Sequence, residues 1–465
     1  MSLMVSISGI RGVVGEDLSP DVIVKYSAAF AKYCNRGTVA IGRDGRSSGR
    51  IIGNLVSSTL LSMGCDVVAI GIVPTPTVQI AVEQLHASGG ISITASHNPV
   101  EWNGLKFLNE TGMFLNAAEN KRLVAIADRG NFSYSPWNKM GKHAHDDTFI
   151  GRHIDMVTRL PYVHVGEIRK RRFKIVVDCV NAAGGVIVSR LLRGLGCTVI
   201  EMNCDVSGVF ARNPEPIPEN LKELCRRVRA EGADLGIAVD PDVDRLVLIT
   251  ERGEPFGEEY TITAVVDFIL PRIRAHKGSI RLHGRDTNRS PSVVVNLSTT
   301  RAVDDVARKF GARVIRTPVG EINVARKMKE VGAIIGGEGS GGVILPEVHY
   351  GRDAIVGIAL ILQHLCEFGG TLSELKSTLP QYVITKSKVM VAQKNVDRLL
   401  DRIRRRNEKM GTVNVQDGLK IDFADSWIHL RKSNTEPIIR IIAEAPSKRR
   451  SQQLVTQFTK EIKSF

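Results

Sequence analysis

Short hydrophobic runs that stop abruptly on polar loops recur along the chain, separated by stretches with helical spacing of apolar positions. Residues 91–94 form one β-branched run, which ends on the polar segment 95–99. The run predicts a buried strand that Pro99 cannot continue, because proline has no N–H and fixes its own φ. We therefore expect Ser96 at the carboxyl end of a strand, where open α/β sheets place their ligands.

A sequence echo predicts three copies of one α/β unit. Gly64, Gly196 and Gly311 each follow a helical stretch and precede a strand-like run. Glycine at such a place is typical of a helix C-cap that opens the next strand. The echoes lie about one domain length apart, which is too far for a solenoid repeat.

The next strand of each copy also ends in a loop rich in reactive side chains. The strands and the first such residue after each are 91–94 with Ser96, 235–239 with Asp240, and 333–336 with Glu338. If the three units are alike, equivalent edges of three domains supply one loop each. A cleft between the domains is then where the loops can meet.

The pattern changes to α+β towards the C-terminus, with strands predicted at 383–391 and 438–443, a helix at 396–410 and a hairpin at 418–430. The predicted fold is therefore α/β, with three similar mixed-sheet domains and a smaller α+β C-terminal domain around a central cleft. The predicted domains are 1–147, 148–252, 253–372 and 373–465, carrying in turn the Ser96 loop, the aspartate loop, the Glu338 loop and a C-terminal polar loop.

Composition is that of a soluble globular protein, with 43% hydrophobic and 24% charged residues. No apolar run approaches the roughly 20 residues that span a bilayer, and the N-terminus lacks a signal-peptide core. We expect a cytoplasmic protein that does not bind membranes. Seven cysteines without a C-x-x-C pair indicate reduced, mostly buried thiols.

A formal net charge of +14 raises the possibility of nucleic-acid binding. The basic clusters lack interleaved aromatic residues, however, and aromatic residues make up only 5% of the chain, so stacking platforms are scarce. We expect no nucleic-acid partner. The charge has two interpretations, namely solvated basic faces and attraction of small anionic substrates. As to oligomeric state, we expect a monomer or a homodimer.

Three aspartates at alternate positions, Asp240, Asp242 and Asp244, can converge if the backbone curls around a cation. Oxygen ligands of this kind suit Mg²⁺. A calcium EF-hand is the competing motif, because Glu251 falls at its twelfth position. It fails at the sixth position, where the turn needs glycine and the chain has Arg245.

Two further groups have chemistry of their own. Lys106 is close enough in sequence to reach the Ser96 pocket, and a lysine beside other cations can have a lowered pKa and transfer protons. Residues 431–437 combine a guanidinium, hydroxyls and turn N–H groups, which suit a phosphate.

Nucleotide binding is not indicated by the sequence. No P-loop is present, and the formal G-x-G-x-x-G match at 337–342 runs into residues 343–346, which predict a strand instead of the helix that a dinucleotide site requires.

The segments T-A-S-H-N-P, D-P-D-V-D-R, G-E-G-S-G and R-K-S-N-T-E-P, in that order, resemble the signature set of the α-D-phosphohexomutases. This superfamily includes phosphoglucomutase, phosphomannomutase and phosphoglucosamine mutase activities. The resemblance spans essentially the whole chain. It implies a mutase that interconverts hexose 6-phosphate and hexose 1-phosphate, with a fourth domain closing over the cleft.

The resemblance also implies a role for each loop. Ser96 would carry a phosphoryl group as phosphoserine and would bind Mg²⁺ together with Asp240, Asp242 and Asp244. Lys106 would act as general acid or base with His97 nearby, while Arg245 would steady the phosphoserine and Arg11 would line the cleft. The residues expected to bind the phosphosugar are Glu338 and Ser340 at the sugar hydroxyls, and Arg431, Ser433, Asn434 and Thr435 at the distal phosphate.

One residue departs from the pattern. Several members of the superfamily have histidine directly after the last glycine of G-E-G-S-G, whereas this chain has Gly342. The role of that histidine is therefore either absent from this chain or taken by another residue, for which His349 is the candidate.

Two rival classes remain open, namely a sugar phosphatase and a non-catalytic sugar-phosphate sensor. A phosphatase would not need a distal phosphate loop, and a sensor would not need an intact nucleophile. Among mutase substrates the sequence predicts a slight preference for glucosamine phosphate, with a phosphoglucomutase/phosphomannomutase as the alternative. Loop 431–437 resembles the latter, while segment 8–12 and Ala95 resemble the former.

Overall fold

The computed structural model describes residues 3–275, 290–391, 396–433 and 437–464. Four β-sheets organise these residues, and each sheet is formed by a separate part of the chain. Three sheets are mixed and carry helices between parallel strands, and the fourth is antiparallel.

The first unit contains a seven-stranded sheet in the order β1-β2-β6-β5-β3-β4-β7. Its helices begin where the sequence supplies caps. Ser19 caps α1 ahead of Pro20, and Asn116 forms a capping box with Glu119 at α4. The elements are β1 (Met4–Ser6), β2 (Gly9–Val13), α1 (Pro20–Tyr33), β3 (Val39–Arg43), α2 (Gly49–Ser62), β4 (Val67–Ile72), α3 (Thr75–Gln84), β5 (Gly89–Ile93), β6 (Trp102–Leu108), α4 (Ala117–Arg129) and β7 (His143–His145).

The second and third units each contain a four-stranded sheet. The second comprises α5 (Phe149–Thr158), α6 (Val165–Arg171), β8 (Lys174–Asp178), α7 (Gly184–Gly194), β9 (Thr198–Met202), α8 (Lys222–Glu231), β10 (Leu235–Val239) and β11 (Leu246–Thr250). The third comprises α9 (Glu258–Ala275), β12 (Ser292–Asn296), α10 (Ala302–Lys309), β13 (Arg313–Thr317), α11 (Glu321–Val331), β14 (Ile335–Glu338), β15 (Gly342–Ile344), α12 (Ala354–Phe368) and α13 (Leu372–Thr378).

One strand order is common to the three units. In the orders β6-β5-β3-β4, β11-β10-β8-β9 and β15-β14-β12-β13, the strands appear as fourth, third, first and second along the chain. The first three strands are parallel, and the fourth is antiparallel to the third. The carboxyl ends of β5, β10 and β14 are therefore equivalent positions in three copies of one unit.

The fourth unit is an antiparallel sheet in the order β16-β20-β19-β18-β17, with α15 packed on β16 and β20. It comprises β16 (Val383–Met390), α14 (Val396–Asn407), β17 (Thr412–Asn414), β18 (Leu419–Asp422), β19 (Trp427–Lys432), β20 (Ile438–Ala445) and α15 (Lys448–Lys463).

Burial joins the first three units more closely than the fourth. One hydrophobic cluster includes Val78 on α3, Leu191 on α7 and Ile355 on α12, one residue from each of these units. The fourth unit has its own cluster around Phe458. The three α/β units thus share apolar packing, whereas the fourth sheet has a core of its own.

Polar contacts attach the fourth unit to the third. The Tyr260 hydroxyl donates to Pro380 O over 3.1 Å and accepts from Tyr382 N over 2.9 Å, at the connection between the units. Farther along, the Ser298 hydroxyl lies 2.9 Å from His429 Nδ1. These bonds fix how the C-terminal sheet sits beside the Glu338 loop.

Several sequence predictions shift by a few residues. The helix predicted over 396–410 ends at Asn407, and the strand predicted over 333–336 is Ile335–Glu338, so Glu338 belongs to the strand itself. All seven cysteines are free thiols. No single helix in the described ranges is long and apolar enough to cross a membrane, and only α12 and α13 together pass that test, across an 84° bend.

Candidate active site

The three equivalent strand ends meet. Ser96 follows β5 and its Oγ donates to Asp240 Oδ2, which follows β10, over 2.9 Å. Asp244 of the same loop is joined to Glu338, at the end of β14, through Arg352. The loops predicted from the strand pattern therefore form one cluster between three units.

Ser96 has a constrained backbone. Its φ is +48°, in the left-handed region that residues with a side chain adopt rarely. The Ser96 N–H donates to Thr94 Oγ1 over 2.8 Å, which holds the turn in place. A non-glycine residue with this φ next to acidic groups is typical of a functional site.

Arg46 holds the Ser96 loop in place, and no sequence motif indicates a functional role for this residue. Its two terminal nitrogens donate to four backbone carbonyls, at distances of 2.6–2.8 Å. The acceptors are the carbonyl oxygens of Ser96, Asn98, Pro99 and Trp102. Arg46 is fully buried and its charge is matched by Asp44 Oδ2 at 3.1 Å.

The three aspartates converge as the spacing predicts. One ligand oxygen from each of Asp240, Asp242 and Asp244 lies within 4.8 Å of the others, and all three residues are buried. The turn that brings them together includes Val243 with φ +59°. Asp242 Oδ1 and Asp244 Oδ1 are buried and have no hydrogen-bond partner among the described residues.

These carboxylates suit a divalent cation. Burial and the neighbouring charges of Asp244 and Asp242 raise the pKa of Asp240 well above its usual value, whereas the cations Arg352, Lys106 and Arg245 outweigh burial and lower the pKa of Asp244. Asp244 Oδ1 lies 3.8 Å from Arg245 Nε, beyond hydrogen-bond distance, and both buried oxygens can still accept a donor or a cation. An oxygen-only donor set of this kind is that of Mg²⁺ or another hard divalent cation.

Lys106 lies on β6, where its Nζ donates to Asp242 Oδ2 over 2.6 Å and approaches Asp244 Oδ2 at 3.6 Å. Burial acts to lower the pKa of Lys106, but the two carboxylates outweigh it, and the pKa is raised. The expectation of a lysine with a lowered pKa is therefore wrong for this arrangement. Its neighbours are anions, so it carries a proton.

His97 and Arg245 form a pair beside Ser96. Arg245 Nη2 donates to His97 Nδ1 over 3.0 Å, and Ser96 Oγ lies 3.5 Å from the same nitrogen. Burial and the charges of Arg245 and Arg11 lower the pKa of His97 to about 2, so its imidazole is neutral. Arg11 donates to Asn98 Oδ1 over 3.0 Å, which places it on the Ser96 loop.

Glu338 is buried and accepts three hydrogen bonds. Asn296 Nδ2 and Gly320 N donate to its Oε1 over 2.7 and 2.9 Å, and Arg352 Nη1 donates to its Oε2 over 2.7 Å. Ser340, two residues on, is partly exposed at the same loop.

The side chain of Arg352 packs against Gly342. It occupies the space beside residue 342 that another histidine would need. A Cβ at position 342 would overlap Arg352 Cδ and lie 2.9 Å from Arg352 Cγ. His349 Nε2 is instead 3.1 Å from Asp353 Oδ2, in a separate buried group with His153. The expectation that His349 takes the role of the histidine missing at position 342 is therefore wrong. Arg352 belongs to no motif that marks it in the sequence.

The structure describes only part of the polar loop 431–437. Arg431 Nε lies 2.9 Å from Asp417 Oδ2, and the same carboxylate oxygen accepts from Val319 N over 2.9 Å. Ser433 is buried, while Asn434 and Thr435 lie outside the described residues. Since Gly320, the residue after Val319, donates to Glu338, Asp417 connects loop 431–437 to the Glu338 loop.

Known proteins match this chain along its whole length. Sequence models of the four domains of the phosphoglucomutase/phosphomannomutase family match in order: alpha/beta/alpha domain I at residues 4–133, domain II at 151–253, domain III at 279–382 and the C-terminal domain at 385–461. The predicted fold class, three similar α/β domains and a fourth of different type, is thereby confirmed.

Two archaeal relatives are each 38% identical. One, from Methanopyrus kandleri, is named "Probable phosphoglucosamine mutase" and aligns over 97% of this chain and 96% of its own length. The other, from Thermococcus kodakarensis, is named "Phosphoglucomutase/phosphomannomutase" and aligns over 96% and 95%. A crystal structure of a phosphoglucomutase/phosphomannomutase family protein from Burkholderia thailandensis superposes with a TM-score of 0.83 at 27% identity, covering 99% of this chain and 98% of that one. With all four domains, their order and the clustered loops in agreement, the chain belongs to the α-D-phosphohexomutase superfamily and is a phosphosugar mutase.

Proposed function

We propose that this mutase works through a phosphoserine at Ser96 and a hexose 1,6-bisphosphate intermediate, and that it accepts both glucosamine phosphate and neutral hexose phosphates. The observation that carries the mechanism is the direct hydrogen bond from Ser96 Oγ to Asp240. The Ser96 hydroxyl lies against a buried cluster of carboxylates that suits a cation, which supports a role for it as the nucleophile. A protein that only bound sugar phosphates would not need a nucleophile.

Each half reaction exchanges one P–O bond for another. A sugar hydroxyl attacks the phosphorus of phosphoserine, the bond from phosphorus to Ser96 Oγ breaks, and the bisphosphate forms. The bisphosphate then reorients in the cleft. Ser96 Oγ attacks the phosphorus of its other phosphate, and the bond from that phosphorus to the sugar oxygen breaks. Since every phosphoryl group ends on the enzyme or on the sugar, no water is consumed.

Lys106 is the proposed proton donor and acceptor. Its ammonium, 2.6 Å from Asp242, gives a proton to the oxygen that leaves phosphorus. The proton released by the attacking hydroxyl then restores the ammonium. Neutral His97 holds Arg245, whose guanidinium steadies the phosphoryl group beside Ser96.

Mg²⁺ would be held by Asp240, Asp242, Asp244 and a phosphoserine oxygen, and when bound it would offset negative charge on the transferring phosphoryl group. Arg11 lines the cleft next to the Ser96 loop. The groups proposed to hold the sugar hydroxyls and the distal phosphate are Glu338 and Ser340, and Arg431, Ser433, Asn434 and Thr435.

Substrate tolerance follows from the sugar loop. Glu338 accepts hydrogen bonds from hydroxyls that glucose, mannose and glucosamine share, so it does not discriminate strongly at C2. A site built around a C2 ammonium would leave a buried partner unmatched when a neutral hexose binds. We expect the amino sugar to be slightly preferred.

The test compares kcat/KM for glucosamine 1-phosphate, glucose 1-phosphate and mannose 1-phosphate, with Ser96→Ala as the inactive control. Conversion of glucosamine 1-phosphate and of at least one neutral hexose 1-phosphate to the corresponding 6-phosphates is expected. Inorganic phosphate as the main product would indicate a phosphatase. A preference above about 10⁴-fold for one sugar, the range reached by hydrogen-bonded discrimination, would contradict the tolerant site.

A further inference from the structure

Arg352 occupies an unusual place between two loops of the site. It follows β15 and directs three N–H groups at three carboxylates: Nη1 at Glu338 Oε2 over 2.7 Å, Nη2 at Asp244 Oδ2 over 2.6 Å, and Nε at Glu321 Oε2 over 3.2 Å. Its side chain is 10% exposed. One guanidinium therefore connects the sugar loop, the aspartate loop and the start of α11.

The position of this guanidinium depends on Gly342. Because a Cβ at residue 342 would overlap Arg352 Cδ, only glycine leaves room for the arginine in this geometry. The chain φ at Gly342 is not in the left-handed region, so the glycine is not required for its backbone conformation. It serves to admit the side chain of Arg352.

Arg352 also changes the charge that a sugar meets at Glu338. Both donors at Glu338 Oε1 are neutral, namely Asn296 and the backbone of Gly320, so they leave the charge of the carboxylate in place. Arg352 supplies the cation at Oε2. A substrate ammonium near this loop therefore meets a carboxylate that is already paired.

We propose that Arg352 is a specificity-determining residue, which keeps the sugar site tolerant because its guanidinium pairs with the Glu338 carboxylate and weakens the attraction of that carboxylate for a substrate ammonium. The proposal rests on the proposed function, because it assumes that Glu338 faces the sugar. An ammonium at C2 gains little from a paired carboxylate, so amino and neutral sugars bind with similar strength. Without the guanidinium, Glu338 attracts the ammonium more strongly. Glucose and mannose have no ammonium, so the ratio of their kcat/KM values does not change.

The experiment measures kcat/KM at neutral pH for glucosamine 1-phosphate, glucose 1-phosphate and mannose 1-phosphate in Arg352→Met and Arg352→Lys. In Arg352→Met the glucosamine-to-glucose ratio should rise about tenfold, the size expected for one lost charge near an ammonium. The glucose-to-mannose ratio should stay constant. Arg352→Lys keeps the charge and should keep the wild-type ratio, as should Arg326→Met, which changes an exposed arginine on α11.

A second variant guards against misfolding, because Arg352→Met leaves buried carboxylates without their cation. Arg352→Met combined with Glu321→Gln removes one charge of each sign and should show the same rise in the glucosamine-to-glucose ratio. Glu321→Gln alone should leave the ratio at the wild-type value.

The outcomes separate two failures. If wild-type protein has no mutase activity on these three sugars, the proposed function fails. If wild-type protein is active but kcat/KM in both Arg352→Met variants falls by the same factor for all three sugars, Arg352 has only a structural role and the inference is wrong.

Discussion

Ser96 and Asp240 are 144 residues apart in the sequence, yet the hydroxyl of one donates directly to the carboxylate of the other over 2.9 Å. The two residues follow the third strand of two copies of the same unit. The proposed nucleophile and the cluster proposed to bind a cation are thus brought together by docking of domains. No local turn could have produced the pair.

Ser96 should carry a phosphoryl group in the active protein. Intact-mass and peptide spectrometry of the purified enzyme should show the added mass on the peptide that contains Ser96. Ser96→Ala should lose on the order of a thousandfold or more in kcat, because a covalent nucleophile is removed. Ser47→Ala, at an exposed serine, is the control. Full activity of unphosphorylated protein without added bisphosphate would show that the assignment is wrong.

Asp242→Ala should abolish turnover while the protein remains folded. Asp242 Oδ1 is buried without a partner, so the carboxylate is available to a cation. Added Mg²⁺ should raise the melting temperature of the wild type, because it binds only the folded state, and should not raise that of the variant. Glu223→Ala on the exposed face of α8 should respond like the wild type. Activity that survives a strong chelator would rule out the metal assignment.

Arg46→Met should destabilise the protein by about 3 kcal/mol or more, since four backbone carbonyls and the buried Asp44 lose a charged donor. The same variant should lower kcat, because the Ser96 turn is no longer held. Denaturant unfolding followed by circular dichroism gives the stability, with exposed Arg50→Met as the control. A loss below about 1 kcal/mol would mean that the loop does not depend on this residue.

Acid should weaken the contact between the third and fourth domains. Burial lowers the pKa of His429 from 6.5 to about 4, so the folded state binds its proton less readily than the unfolded state. This contribution to stability is complete above about pH 6.5 and is lost as the pH falls towards 4. In His429→Gln the free energy of unfolding should be lower at neutral pH but should fall less steeply over this interval. Exposed His143→Gln should keep the wild-type slope, and equal slopes in all three proteins would contradict the prediction.

The sequence could predict those features that depend on ligands lying at the carboxyl ends of strands in α/β sheets. Residues 91–94, 235–239 and 333–336 are recognisable as buried runs, and the polar residues after them fall at equivalent sheet edges. Spacing alone was enough to predict that Asp240, Asp242 and Asp244 converge.

Other features depend on three-dimensional contacts that no local pattern encodes. Arg46 binds backbone carbonyls, which leave no side-chain signature at the partner positions. Arg352 reaches Glu338 from 14 residues away and Asp244 from 108. The protonated state of Lys106 follows from carboxylates supplied by another domain, so sequence proximity to Ser96 predicted its location but not its charge.

The hydrogen bonds of Arg46 restrict movement of the Ser96 loop during the reaction. A loop whose Ser96, Asn98, Pro99 and Trp102 carbonyls are all held by one buried guanidinium cannot swing to follow a departing sugar. In the proposed mechanism the phosphoryl donor would therefore stay in place, and the half-turn between the two steps would have to be made by the bisphosphate. Turnover then requires enough empty volume in the cleft for a hexose to rotate, and a sugar too bulky to rotate there would be phosphorylated once and never isomerised.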